Sequence, residues 1–280
     1  MPIFDIIKVW QEFERSSKNG SMNEIKLFRN LAHAIESNTK SAYIEETHGA
    51  SKANVIFKSA RYDEDRCEIA DQLIISISKS RNSARATFLQ AKYAKSSKWT
   101  EMSELSQLDF RAQGNQWFLL NRRPEIKGVL KFQPPSNLLS SFNNPAIGTY
   151  GVFYKLKKEY QFAYSIAEMV SCSSPTVKNP KLAINGSLTD YRIFENSSIV
   201  CMDLQCYLLS LLKFKIGALI YTNIPTHIWL LNYVKAKAME RSIDDEIMDA
   251  IDSIATDIKV HGDIHEATKD GVSLLIVLTP

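Results

Sequence analysis

The sequence predicts an α/β protein in which a β-sheet is flanked by helices, and three observations carry that expectation. Apolar residues recur at helical spacing in two stretches near the start, over residues 3–15 and 22–36. A run of β-rich segments joined by polar turns follows. The last third alternates helical and strand-like patterns and finishes on an apolar segment, Val272 to Leu278. Composition agrees. With 45% hydrophobic residues, 23% charged residues, 10 Gly and 9 Pro, the chain is not disordered, collagen-like or a coiled-coil rod. Its 280 residues bury enough surface to fold without a disulfide or zinc staple.

Ile3, Ile6, Ile7, Trp10 and Phe13 set the rhythm of the first helix, which Ser16-Ser17-Lys18-Asn19-Gly20 breaks. A second helix runs from Met22 to Glu36, with Ile25, Phe28, Leu31, Ala32 and Ile35 on one face. Short strands over Ala42 to Glu45 and Asn54 to Lys58 come next, then the polar loop Arg61 to Arg66. A strand from Glu68 to Ser78, a polar turn over 79–83 and a strand from Ala84 to Tyr93 read as a hairpin. Glu101 to Leu120 is expected to be helical, ended by Asn121-Arg122-Arg123-Pro124, and residues 125–165 are mixed. The Ser-, Asn-, Pro- and Gly-rich stretch 171–200 reads as a linker or long insertion between a domain over 1–170 and a mixed α/β region over 201–280. That last region is expected to hold a helix over Met202 to Leu212, a strand over Ile216 to Tyr221, helices over Ile228 to Met239 and Ile243 to Ile258, and the final strand. It would pack on the core or bind a partner.

With 34 Lys and Arg against 31 Asp and Glu, the net charge of +3 does not by itself mark a nucleic-acid binder. The four cysteines form no CxxC pair and lack neighbouring His at ligand spacing, which speaks against zinc and for reduced, buried thiols. The opening Met-Pro-Ile-Phe-Asp-Ile-Ile-Lys lacks the basic-then-apolar pattern of a secretory leader, and no window reaches 18 uncharged apolar residues. The expectation is a cytoplasmic protein with no membrane partner.

The informative segment is the hairpin. Alternation puts Ile69, Asp71, Leu73 and Ile75 on one face, while Phe88, Gln90 and Lys92 share a face of the partner strand. An acid opening one strand is therefore expected beside a Gln and a Lys on its neighbour. This arrangement resembles the PD-(D/E)XK nuclease superfamily, with its restriction-endonuclease-like mixed sheet flanked by helices. The resemblance covers roughly residues 20–125. It matches Asp71 to the metal-binding Asp and Gln90-Ala91-Lys92 to the acidic-X-Lys tripeptide, with Gln in place of the acid, a Q-X-K form found among restriction-type and anti-phage nucleases. Ala70 stands where that pattern tends to have Pro. Glu24 matches the Glu of the first core helix, and Gln107, Gln113 and Gln116 compete for a Gln on the helix after the tripeptide.

The resemblance implies a magnesium site, with manganese as a substitute, held by Asp71, the Gln90 side-chain oxygen and the Ala91 carbonyl. Lys92 would hold the attacking water and stabilise charge growing on the phosphate, with Glu24 as a supporting acid. Plainer roles compete: Asp71 as a solvated strand end, Lys92 as an edge-strand gatekeeper, and Glu24 as the far end of a Ser21-x-x-Glu24 capping box. Glu68 is expected on the opposite face from Asp71.

From Ser76 to Thr100 the chain carries Lys79, Arg81, Arg85, Lys92, Lys95 and Lys98 and no acid. Beside Tyr93 and Trp99, these cations are expected to form a rim that contacts phosphates, with Arg122, Arg123, Lys155, Lys157 and Lys158 in support. Other chemistries fit less well. His261 and His265 lack a third ligand, Gly148-Thr-Tyr-Gly151 is no P-loop, and there is no GxSxG. The expected function is metal-dependent endonucleolytic hydrolysis of DNA, with RNA as the alternative polynucleotide and restriction or anti-phage defence as the setting. A homodimer or a partner protein of a defence system is expected. The competing class is an inactive nuclease-fold module that binds DNA or a protein.

Overall fold

The computed structural model describes residues 5–18, 21–39, 42–45, 53–188, 192–193, 196–240, 243–254 and 271–279. Its helices are α1 (Ile6–Ser17), α2 (Glu24–Ser37), α3 (Gly114–Arg122), α4 (Leu204–Leu212), α5 (Pro225–Glu240) and α6 (Asp245–Ile254). The first strands are β1 (Ala42–Glu45), β2 (Asn54–Phe57), β3 (Asp65–Glu68), β4 (Gln72–Ser78), β5 (Ser83–Trp99), β6 (Gln107–Arg111), β7 (Ile126–Gly128), β8 (Gly148–Leu156) and β9 (Glu159–Ile166). The later ones are β10 (Ser171–Cys172), β11 (Lys181–Asn185), β12 (Arg192–Ile193), β13 (Ser197–Ser198), β14 (Val200–Cys201), β15 (Ala218–Leu219) and β16 (Ser273–Thr279).

A mixed eight-stranded sheet runs in the order β1-β16-β4-β5-β8-β9-β14, with β15 pairing to β5. The hairpin β4–β5 lies at its centre. β5 pairs in parallel with β8, which requires a crossover, and α3 lies in that connection. β16 returns from the far end of the chain to pair in parallel with β4. Two small antiparallel sheets, β3-β2-β7 and β10-β11-β6, and the ribbon β12-β13 complete the described structure.

Alternation divides the apolar residues between two cores. Leu73, Ile75, Leu274 and Ile276 face a cluster that includes Leu120 of α3, Val234 of α5 and Ile247 of α6. Ile74, Leu89, Leu275 and Val277 face a second cluster with Phe13 of α1, Leu31 of α2 and Leu208 of α4. Three layers result, with the sheet buried on both sides. The helix starts are set by side-chain caps: Asp5 accepts from the Ile7 and Lys8 N–H groups, Asn23 from Lys26, and Asp203 from Cys206. Among the described residues, no helix is long and apolar enough to cross a membrane.

Several expectations change. The expected strand Glu68 to Ser78 begins only at Gln72, as β4; Glu68 instead ends β3, which starts in the expected polar loop and joins a different sheet. The expected helix Glu101 to Leu120 is the strand β6 followed by α3. Leu108, Phe110 and Ala112 alternate into the core, and β6 gains a partner in β11, which is remote in sequence. The segment 171–200, expected as a linker or long insertion, carries paired strands: β11 joins β6 and β14 joins β9. Asn23 caps α2, so Ser21 and Glu24 do not form the capping box. Ile25 is exposed rather than part of the buried face, where Leu27 and Ala34 stand instead. The continuation of α6 beyond Ile254 and the His261–His265 pair lie outside the described residues.

Since β16 is the strand that ties the chain's end to β4, its fully buried Ile276 is a strong test of this packing. Ile276→Ala is expected to cost about 2–5 kcal/mol in urea unfolding, while exposed Ile7→Ala stays within about 0.5 kcal/mol.

Candidate active site

The site forms at the open end of the central hairpin. Gln72 lies opposite Leu89, and the Asp71 N–H continues the ladder by donating to the Leu89 carbonyl at 3.0 Å. Asp71 is therefore set against Gln90. Its Oδ2 accepts from the Ala91 backbone N–H at 2.7 Å and from Gln90 Nε2. Gln90 is 1% exposed, and its Oε1 finds no hydrogen-bond partner among the described residues. A buried amide oxygen left this way is costly unless something else binds it.

Two residues further along the same face, the Lys92 side chain is 12% exposed, and its Nζ lies 3.4 Å from Glu24 Oε1. Glu24 is the first residue of α2, which brings its carboxylate to the sheet from another element. Asp71, Gln90, Lys92 and Glu24 all line one cleft of about 660 Å³. Glu68, expected on the opposite face, lines it as well, because the strand break before Asp71 resets the alternation. Gln113 and Gln116 of the α3 region also face it. Gln107 does not; it is exposed and donates to Asp109 at 2.8 Å.

Burial pushes the Glu24 carboxyl above its ordinary value; the Lys92 ammonium draws it down, and the negative charge of Asp71 pushes it up again. Tyr150 is the cross-strand neighbour of Gln90 and is fully buried. Burial, with the Cys67 thiol and Asp71 nearby, keeps its hydroxyl neutral, and that hydroxyl has no partner among the described residues. The cleft thus offers one orphaned acceptor, Gln90 Oε1, among the carboxylates of Glu24, Glu68 and Asp71, and the Tyr150 hydroxyl is a second orphaned group on the strand next to it.

The expected cationic rim is only partly assembled. Register puts the Lys79–Asn82 turn six residue pairs from Gln72, on the order of 20 Å from the site. There, Lys79 pairs with Glu246 at 2.9 Å, and the Arg81 guanidinium lies over the Phe214 ring at 5.5 Å. Arg85 is turned inward, away from any rim. It is 2% exposed and donates to Ser197 Oγ at 2.6 Å and to the Gly217 carbonyl at 2.7 Å, because β15 covers this part of β5. Arg123 is likewise turned inward, donating to the Phe142 carbonyl at 2.7 Å. Lys95 is exposed, and the Lys98 side chain lies outside the described ones. Two cations that the sequence left unmarked, Arg66 and Arg111, line the cleft instead. Arg66 was hidden in a polar loop and Arg111 in the stretch expected as helix.

Comparison of the chain with protein-family models, curated proteins and solved structures finds no match. The donors themselves decide what the cleft suits. Among the described residues, no three His, Cys, Asp or Glu side chains cluster as a ready-made metal cage. The set at hand is a carboxylate, an unpartnered amide oxygen and two further acids, all hard oxygen donors. Magnesium keeps several waters and needs one or two carboxylates, so this set fits it and does not suit zinc.

The folded protein holds Glu24 above its unfolded pKa, so its contribution to stability is complete below the ordinary carboxylate pKa and is lost as the pH rises through the raised one. In a carboxyl-carbon NMR titration with a chelator present, Glu24 is expected to titrate above 4.5. Asp71→Asn should lower that midpoint and Lys92→Met should raise it. The reverse order would contradict the proximity of the three groups.

Proposed function

We propose that this chain is a magnesium-dependent endonuclease that hydrolyses DNA phosphodiester bonds. The observation that carries this reading is the hairpin mouth, where Asp71 on one strand is joined to Gln90-Ala91 on the next and Lys92 follows in the same cleft. Further support comes from Glu24 at the start of α2 and from the Gln113–Gln116 face of α3, which match the remaining parts of the PD-(D/E)XK pattern. A restriction or anti-phage setting follows from the resemblance of the Q-X-K form.

In this reading, Asp71, Gln90 Oε1 and the Ala91 carbonyl would hold the ion, with Mn2+ able to replace Mg2+. A bound magnesium ion supplies Lewis acidity to the phosphate and lowers the pKa of its water. Lys92, kept in place by Glu24, holds the attacking water and stabilises charge that grows on the phosphate oxygens. Glu24, with its raised pKa, is placed to accept that water's proton. The two basic side chains in the cleft beyond Lys92, Arg66 and Arg111, draw the polyanion in.

One observation favours a second reading, a nuclease-fold module that binds DNA or a protein without cutting. The Gln90 amide already occupies Asp71 Oδ2, and Gln contributes no charge to an ion. Metal dependence separates the two. A binding module would hold DNA in a salt-dependent manner, with no magnesium requirement and no product.

Cleavage of plasmid DNA in magnesium is expected to fall about 100-fold or more in Asp71→Ala and in Lys92→Ala, each checked for folding by circular dichroism. Equal cleavage by wild type and both variants would remove these residues from the mechanism. Gln90→Glu places a second carboxylate against Asp71, so in chelator its melting temperature should fall. Manganese should then raise the melting temperature of Gln90→Glu more than that of wild type; an equal response would argue against an ion between these two side chains.

A further inference from the structure

We propose that a DNA strand enters the cleft along a phosphate-binding track made by Lys95, one of the cations expected at the rim, and Arg111, which the sequence left unmarked. The proposal rests on the nuclease reading and deepens it. Beside the candidate active site lies a second concavity, lined by Tyr93, Lys95, Asp109, Phe110, Arg111 and Lys181. Arg111 lines both, so the two hollows adjoin at that residue.

Their charge balances differ. The first hollow sets the acids Glu24, Glu68 and Asp71 against the cations Arg66, Lys92 and Arg111. In the second, Asp109 is the one acid among the lining residues, and Lys181 neutralises it through a 2.7 Å salt bridge. The surplus there is Lys95 and Arg111. Lys95 is exposed and has no ion-pair partner among the described residues. Arg111 is exposed and donates to the Asn179 carbonyl at 3.3 Å, a neutral acceptor, and forms no salt bridge among the described residues.

A charge-balanced hollow that holds the hard oxygen donors, beside a hollow with surplus positive charge, suits a polyanion that reacts at one phosphate and is held by side-chain cations at its neighbours. Lys95 stands three residues beyond Lys92 on β5, roughly 10 Å of strand. Arg111, which lines both hollows, is the cation that links a backbone held at Lys95 to the cleft of Lys92. The ring surfaces of Tyr93 and Phe110 line the same hollow and carry no base-specific donors of the kind that read sequence. The track therefore holds phosphates and positions the strand without reading its sequence.

The test is the salt dependence of binding, measured by anisotropy with a short fluorescent deoxyoligonucleotide, single-stranded and as a duplex, in EDTA so that no strand is cut. Lys95→Ala combined with Arg111→Ala is expected to weaken binding about tenfold and to reduce the slope of log K against log salt by about 1 per residue removed. Arg111→Lys, which keeps the charge, should keep the slope. So should Lys79→Ala combined with Arg81→Ala at the far turn. An unchanged slope in the Lys95/Arg111 variant, with wild type binding and cutting DNA, overturns the track and leaves the nuclease reading standing. Wild type that neither binds DNA in EDTA nor cuts it in magnesium overturns both.

Discussion

Asp71 sits where β3 gives way to β4, and its Oδ2 ties together the backbone of Ala91 and the side chain of Gln90. That single acceptor does two things. It closes the end of the hairpin at a place where the ladder of β4 begins, and it fixes which way the buried Gln90 amide turns. With Nε2 bonded to Asp71, Oε1 is left without a partner, and the cleft acquires an oxygen that no described protein group satisfies. Lys92, two residues on along β5, takes its position from this anchoring of two strands.

The surrounding fold makes that arrangement stiff. β4 and β5 lie at the centre of an eight-stranded sheet, with α1, α2 and α4 over one face and α3, α5 and α6 over the other. Side chains carried by central strands move little, which is what a constellation accurate to fractions of an ångström needs. Glu24 comes from a helix N-terminus, so the site also depends on how α2 packs against β5. The pairing of Lys92 with Glu24 is an ion pair across that contact. It holds an ammonium group in a largely buried position, where its field is less screened than at the surface.

The hairpin and the shared face of Asp71, Gln90 and Lys92 were legible because strand alternation is a local property: five polar residues between two β-rich runs are enough to predict it. The flanking helices were legible for the same reason. What stayed hidden depended on distant partners. β6 gave a helix-like pattern because its strand character is settled by pairing with β11, some 70 residues on, in a stretch whose Ser, Asn and Pro content suggested a linker. Arg85 looked like a surface cation because nothing near it in sequence shows that β15, Ser197 and Gly217 enclose it. Arg111 was missed as a consequence of β6, and Glu68 was assigned to the wrong side because a backbone break at Ile69–Asp71 leaves no mark in the apolar pattern.

The central claim is that an ion binds between a carboxylate and a neutral amide oxygen. Diffraction from crystals soaked in manganese, recorded to give anomalous differences, tests it directly. The account predicts a peak within about 2.0–2.3 Å of an Asp71 carboxylate oxygen and of Gln90 Oε1. A map with no peak in the cleft, or with manganese bound elsewhere and the Gln90 amide still bonded to Asp71, would contradict it.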